Sequence, residues 1–242
     1  MTALLEAESL TKRFRGLVAN DEVSFRLDSG EVRCVIGPNG AGKTTFISMV
    51  SGHLRPTSGR VLFKGRDITR LSVIERARVG IARKFQTPTI FENLTTFENL
   101  ELAVLRRDLG GRARERAIDE ILELIRLGEE RETRALGLSH GQRQWLEIGL
   151  LLGISAELLL LDEPTAGMTA EETAATGRLV RELAEERNLS VIIIEHDIHF
   201  IRELAAPITV LHLGRVLREG SYDEIAADSQ VRQVYLGGEA HA

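Results

Sequence analysis

Val23, Phe25 and Leu27 alternate with polar residues, the period-two pattern of a strand with one buried face, and a shorter apolar run follows at residues 32–36. Residues 60–63 form another run behind the turn sequence PTSG, so the opening third is expected to be rich in strands. Beyond residue 36 a glycine-rich loop leads to Phe46, Ile47, Met49 and Val50, whose spacing suits one face of a helix. From about residue 72 to residue 153 the pattern is mostly helical. Ser72 with Glu75, and Thr95 with Glu98, have capping-box spacing, in which each side chain accepts a backbone N–H that the first helical turn leaves without a partner. Ile118, Ile121, Leu122 and Ile125 recur at three, four and seven, predicting an amphipathic helix after a loop containing Gly110 and Gly111. Residues 158–161 and 191–194 are unbroken apolar runs, separated by about 30 residues that hold a helix, as expected of strands buried on both faces of a parallel sheet. Residues 208–213 and 215–218 flank Gly214 as a terminal hairpin, and no internal repeat or low-complexity tract interrupts the chain.

Composition changes little in this picture. With 242 residues, 43% hydrophobic and 28% charged, the chain is long enough for a substantial core in one domain or a domain plus a subdomain. A formal net charge of -5 argues against a protein that chiefly grips a nucleic-acid backbone. Cys34, the one cysteine, lies in the apolar run at 32–36; it excludes an internal disulfide and reads as a buried small hydrophobe. No basic segment followed by an apolar stretch opens the chain, so no secretory signal is expected. The most apolar stretch, residues 150–161, contains Glu157 and is shorter than the ~20 residues of a membrane span, so a membrane role would come through a partner.

Residues 37–44 read GPNGAGKT, the full spacing of a phosphate-binding P-loop. Glycines at 37, 40 and 42 let backbone N–H groups of this loop, which also contains Pro38, Asn39 and Ala41, approach phosphate oxygens. Lys43 would neutralise the β and γ phosphates, Thr44 would give a hydroxyl to Mg²⁺, and Thr45 would open a helix whose positive end faces the phosphates. The strand, loop and helix order around it is the setting a P-loop requires.

The run at 158–161 ends abruptly in Asp162, Glu163 and Pro164. Read alone, the two acids are a cap and a solvated carboxylate; beside a P-loop they read as a metal-holding Asp162 and a Glu163 that takes or orients the proton of an attacking water. Leu138-Ser139-His140-Gly141-Gln142 then precedes an amphipathic segment with Trp145, Leu146, Ile148 and Leu152. With the P-loop and the acidic strand end, this stretch resembles the signature motif of the ATP-binding cassette (ABC) family, and the resemblance runs from about residue 4 to residue 236.

The resemblance implies an α/β fold: a P-loop NTPase core with a mostly parallel sheet, an N-terminal antiparallel β-subdomain, and a helical subdomain carrying the signature motif. It divides the single domain into a core of about residues 1–85 and 154–236, a helical arm of about 86–153, and a flexible tail at 237–242. ATP and Mg²⁺ are its implied ligands. Phe14 matches the aromatic that stacks on adenine, with an ordinary core Phe as the alternative. Gln86 matches the glutamine that touches Mg²⁺ and the attacking water, and His196 the histidine that bonds the γ-phosphate; Glu195, His196 and His199 also admit a metal-ligand reading. Ser139, Gly141 and Gln142 are implied to reach the nucleotide held by a second ATPase subunit arranged head to tail, as a homodimer or heterodimer.

Two positions depart from the family pattern. His140 stands where a glycine is usual, and its imidazole could bond phosphate or point outward. Residues 166–169, AGMT, lack the usual final aspartate, although Thr169 with Glu172 keeps a capping box. Phe85, Phe91 and Phe97, beside Pro88, Ile90 and Leu94, suit either core packing or the groove that receives helices from membrane subunits. Five arginines between 106 and 116 read as a solvated loop in preference to a lipid or nucleic-acid contact.

Short sequence words narrow the resemblance to branched-chain amino acid-type importers, and within them to the urea and short-amide branch. They are RKFQ at 83–86, FENLEL at 97–102, residues 138–149, AGMT at 166–169 and VYLG at 234–237. The implied partners are two integral membrane permease subunits, a second ATPase chain and, indirectly, a substrate-binding protein, at the cytoplasmic face of the inner membrane. Branched-chain amino acid import is the alternative. A soluble cassette ATPase acting on DNA or ribosomes is a weaker one, because neither a long coiled coil nor a second cassette is present, and an exporter ATPase is a third.

Overall fold

The computed structural model describes residues 3–84 and 90–236. Along the chain come β1 (Leu5–Phe14), β2 (Leu17–Leu27), β3 (Val32–Ile36), α1 (Lys43–Val50), β4 (Ser58–Phe63), β5 (Arg66–Asp67), α2 (Val73–Val79) and β6 (Ile81–Lys84). Then follow α3 (Thr96–Val104), α4 (Gly111–Leu124), α5 (His140–Gly153), β7 (Leu158–Asp162), α6 (Ala170–Arg187), β8 (Ser190–Ile194) and α7 (Ile198–Leu204). The chain closes with β9 (Ile208–His212), β10 (Arg215–Gly220), α8 (Tyr222–Ala227) and α9 (Ser229–Leu236).

Two sheets form. One is antiparallel, in the order β2-β1-β4-β5; the other runs β10-β9-β3-β8-β7-β6 and is parallel except for its β9–β10 hairpin. The apolar runs take the centre of the parallel sheet because each of its faces carries a core. Leu158, Leu160, Ile192 and Ile194 face a core shared with α1 and the antiparallel sheet. Leu159, Leu161, Val191 and Ile193 face the opposite core, with residues of α6, α7 and the C-terminal helices. A third cluster joins α3, α4 and α5 through Leu100, Ile118, Leu122 and Leu146. Each leucine buried in this way contributes about 1.5–3 kcal/mol.

The capping boxes at Ser72 and Thr95 are both present, as is the Ile118 to Ile125 stripe. Three expectations need correction. α1 buries five consecutive residues, Phe46 to Val50 with Ser48 among them, so it is enclosed and not merely one-faced. The mainly helical stretch after residue 72 contains a strand, β6, which adds a parallel edge to β7. Its polar residues hid it: Lys84 is buried and Arg83 half-buried there because Arg83 pairs with Asp162 at 3.0 Å and Lys84 with Glu147 at 3.2 Å. The arginine-rich run is only partly a loop, since α4 starts at Gly111 and carries Arg112, Arg114 and Arg116, with Arg114 3.4 Å from Glu101 of α3.

Candidate nucleotide site

The P-loop joins the end of β3 to α1. Gly42 sits at the N-cap of α1 with φ 99°, and no side chain caps the helix and no acid lies in its first turn. By contrast α2, α3, α5, α6 and α8 each have a capping box. The first-turn N–H groups of α1 are therefore left to an outside acceptor, and the helix dipole makes an anion the favoured one. Gly37 and Gly42 both have positive φ, and a Cβ would strike the carbonyl oxygen of Leu211 at the first and of Ala19 at the second. These glycines let the loop pack against its own protein; around Gly40, which also has positive φ, the space is open.

Lys43 Nζ donates to the carbonyls of Gly37 at 2.6 Å and Pro38 at 3.1 Å, which holds the ammonium over the loop. Burial lowers its pKa, while the charges of Glu163 and Asp162 act in the opposite direction. The loop lines a cleft of about 470 Å³ together with Phe14, Val18, Ala19 and Glu163. Phe14 is 40% exposed at the end of β1, which removes the core alternative for its ring. Another cavity, about 390 Å³ between α7, α8 and α9, is lined mainly by isoleucines and tyrosines and lacks the loop amides that a phosphate needs.

Asp162 ends β7 with its carboxylate buried. Oδ2 accepts from Arg83 at 3.0 Å, and among the described residues Oδ1 has no hydrogen-bond partner. A carboxylate oxygen left without a partner among the described residues is the kind of ligand that a hard divalent cation takes. Arg83 also donates to Ser48 of α1 at 2.8 Å, so one guanidinium ties the helix after the P-loop to the acidic strand end. Glu163 follows in a left-handed conformation, φ 50°, with its N–H bonded to Ile194 at 2.9 Å. This turn lifts its carboxylate to the cleft wall.

His196 lies just beyond β8, largely exposed, with Nδ1 3.8 Å from Glu163 Oε1. Its neighbour Glu195 does something different. The buried carboxylate accepts from Thr165 N at 3.0 Å and Thr165 Oγ1 at 2.6 Å, fastening the turn after Glu163. Asp197 caps α7 by accepting from the N–H groups of His199 and Phe200. Among the described residues no three His, Cys, Asp or Glu side chains form a group able to hold a metal, so the Glu195, His196, His199 reading falls. Arg83, Glu195 and Asp197 were not singled out by sequence reasoning for these roles; the partners of Arg83 and Glu195 come from distant elements that no local spacing signals, whereas the Asp197 cap is local and its acid just ahead of a helix was the signal for it.

The signature residues start α5. Ser139 is its N-cap and Gln142 completes the capping box, with Gln142 Oε1 accepting from Ser139 N at 2.9 Å and its amide donating to Glu130 at 2.7 Å. Within the chain Gln142 thus positions Ser139, and none of Ser139, Gly141 and Gln142 lines the chain's own P-loop cleft. His140 is exposed, and its Nε2 lies 2.9 Å from the Ala166 carbonyl, across to the turn before α6. Thr169 caps α6 with Glu172, as expected from the spacing. Gln86, Phe85 and Pro88 lie outside the described residues, as does the tail 237–242. Phe91 is exposed, whereas Phe97 packs against the helical cluster beneath the Arg131 guanidinium, 3.9 Å from its ring.

Residues 20–166 match the family described as ABC transporter, and residues 215–241 match the branched-chain amino acid ATP-binding cassette transporter family. The lipopolysaccharide export system ATP-binding protein LptB of Acidithiobacillus ferridurans is 39% identical over 238 residues, 98% of either chain. The high-affinity branched-chain amino acid transport ATP-binding protein LivG of Salmonella typhimurium is 34% identical over 249 residues, covering 97% of this chain and 98% of its own. A crystal structure of the ADP conformation of an ATP-binding cassette of an ABC transporter superposes with a TM-score of 0.89 at 29% identity, over 98% of this chain and all of the other. Fold, cleft and likeness along almost the whole length agree, and the chain belongs to the ATP-hydrolysing subunits of ABC transporters.

Proposed function

We propose that this chain energises an importer of the branched-chain amino acid type, and that its cargo is urea or a short amide. The single observation that carries the importer type is the match of residues 215–241 to that family, which adds to the likeness to LivG. The urea and amide assignment rests on the sequence words RKFQ, FENLEL and AGMT. Branched-chain amino acids are the second reading, favoured by the likeness to LivG, a branched-chain amino acid transport protein. The 39% likeness to an export protein makes direction part of the test.

In this reading Phe14 stacks on the adenine, a contact indifferent to base identity, so GTP is tolerated to some degree. The amides of the 37–42 loop, Lys43 and Thr45 at the start of α1 grip the β and γ phosphates. Thr44, Asp162 and Gln86 hold Mg²⁺, which supplies charge neutralisation at the phosphates when bound. Glu163 takes the proton of a water attacking the γ-phosphorus in line, the bond to the ADP oxygen breaks, and His196 bonds the γ-phosphate and orients it. The signature residues are absent from the cleft lining, which supports a site completed by Ser139 and Gly141 of a second ATPase subunit. The chain acts as one cassette with a helical arm at about residues 86–153, seated on two permease subunits at the cytoplasmic face of the membrane and served by a substrate-binding protein. No helix among the described residues is long and apolar enough to cross a membrane.

Reconstitution with the cognate membrane subunits and binding protein tests this reading. ATP turnover is expected to rise with urea or acetamide on the side of the binding protein. Stimulation by leucine alone removes the urea reading, and transport in the outward direction removes the importer.

A further inference from the structure

The geometry points to Glu172 as an intramolecular stand-in for phosphate, holding the signature loop against α6 until a partner's nucleotide displaces it. This rests on the reading that Ser139 and Gly141 close the nucleotide site of a second subunit.

Glu172 lies in the first turn of α6, yet its carboxylate gathers donors from two elements. Thr169 N donates to Oε2 at 2.9 Å, which is the ordinary capping box of α6. Ser139 Oγ donates to Oε1 at 3.2 Å, and Oε1 sits close against the backbone of Gly141. A Cβ at Gly141 would run into Oε1, so the contact depends on glycine there. The hydroxyl of an N-cap serine and the amides of the first turn are the donors a helix offers to a tetrahedral oxyanion. In the single chain the hydroxyl serves a carboxylate instead.

The Thr169 N–H first, and the Ser139 hydroxyl with it, hold the Glu172 carboxyl below the usual range, so it is ionised at neutral pH. An ionised carboxylate and a γ-phosphate cannot share that hydroxyl. They compete, and like charge adds to the exclusion.

A second bond closes the same junction. His140 Nε2 lies 2.9 Å from the Ala166 carbonyl, and because a carbonyl can only accept, Nε2 carries the hydrogen. Behind these contacts Trp145 Nε1 donates to Thr176 Oγ1 at 2.9 Å, again from α5 to α6. His140, one departure from the family pattern, is thus tied to the 166–169 turn that ends in the other, Thr169. Together these contacts form a clasp that aligns α5 on α6, and its carboxylate sets the ATP concentration at which the loop is released.

The test is ATP-driven association of the Glu163→Gln chain, alone and mixed with its partner ATPase, followed by sedimentation velocity with MgATP. Glu172→Gln keeps the capping box, since glutamine serves at that position, and removes the charge. It is expected to lower the ATP midpoint of association by about fivefold to tenfold, within the usual range of coupling between sites. His140→Ala is expected to lower it by less, and the double variant by less than the product of the two, because both changes open one clasp. Emission of Trp145, the only tryptophan, reports the junction directly and is expected to shift on adding MgATP to the parent chain, and already without nucleotide in the double variant. An unchanged or raised midpoint for Glu172→Gln, with association itself intact, overturns the clasp and leaves the two-subunit site standing. Failure of the Glu163→Gln parent to associate at saturating MgATP overturns the two-subunit reading and the clasp together.

Discussion

At the scale of single residues, the proposed reading divides the site into groups that meet the nucleotide and groups that hold those in place. It puts Glu163 in the first kind: a left-handed turn lifts it to the cleft wall while Glu195 fastens Thr165 behind it. Glu163→Gln is expected to retain ATP binding and to lower turnover by roughly 10² to 10⁴, the usual contribution of a positioned base; single-turnover hydrolysis near the parent rate would remove the assignment. Lys43→Ala is expected to abolish ATP binding in calorimetry, because the ammonium over Gly37 and Pro38 is lost. Cys34 is a buried thiol whose pKa is pushed up to about 12, by desolvation first and then by the charge of Glu195. Since the folded thiol keeps its proton where an unfolded one, near 9.0, has lost it, its contribution to stability falls as pH rises from about 9 toward 12. Alkylation at pH 8 should therefore leave the native chain unlabelled and label it on unfolding, and Cys34→Ala should flatten the alkaline loss of stability.

At the scale of elements, the sequence was most legible where one local rule acts alone. The capping boxes at Ser72, Thr95 and Thr169 need only a spacing of three, and all formed. Thr95→Ala is expected to cost about 1 kcal/mol in denaturant unfolding, the usual worth of an N-cap. The apolar runs became β7 and β8 because both faces of that sheet are covered. Leu160→Ala, at a position with no exposure, is expected to cost about 2–5 kcal/mol. β6 was not legible. Four residues containing an arginine and a lysine do not look like a buried strand until Asp162 and Glu147, remote in sequence, supply the opposite charges. Nor does an amphipathic count tell that α1 is enclosed, since one face suffices to pack a helix and the second sheet is seen only in the fold.

At the scale of the whole molecule, the P-loop cleft and the signature loop sit in different parts of the chain, and the cleft lining contains no signature residue. In the proposed reading a second subunit completes the site. With the full transporter, Lys43→Ala in one ATPase position is expected to suppress ATP-driven closure of the pair, read by cross-linking at the subunit interface, and undiminished closure would argue that each subunit works alone.

The sequence by itself determined the nucleotide chemistry and the family. A P-loop, an acidic strand end and a signature stretch are local words whose spacing states which backbone amides and carboxylates stand together. Only the tertiary structure decided what those residues do while no partner is present. Arg83 meets Asp162, Glu195 meets Thr165, His140 meets Ala166 and Glu172 meets Ser139. Each of these pairs joins elements that are 26 or more residues apart, and a hydrogen bond reaching about 3 Å is set by how sheets and helices pack, which no periodicity along the chain records.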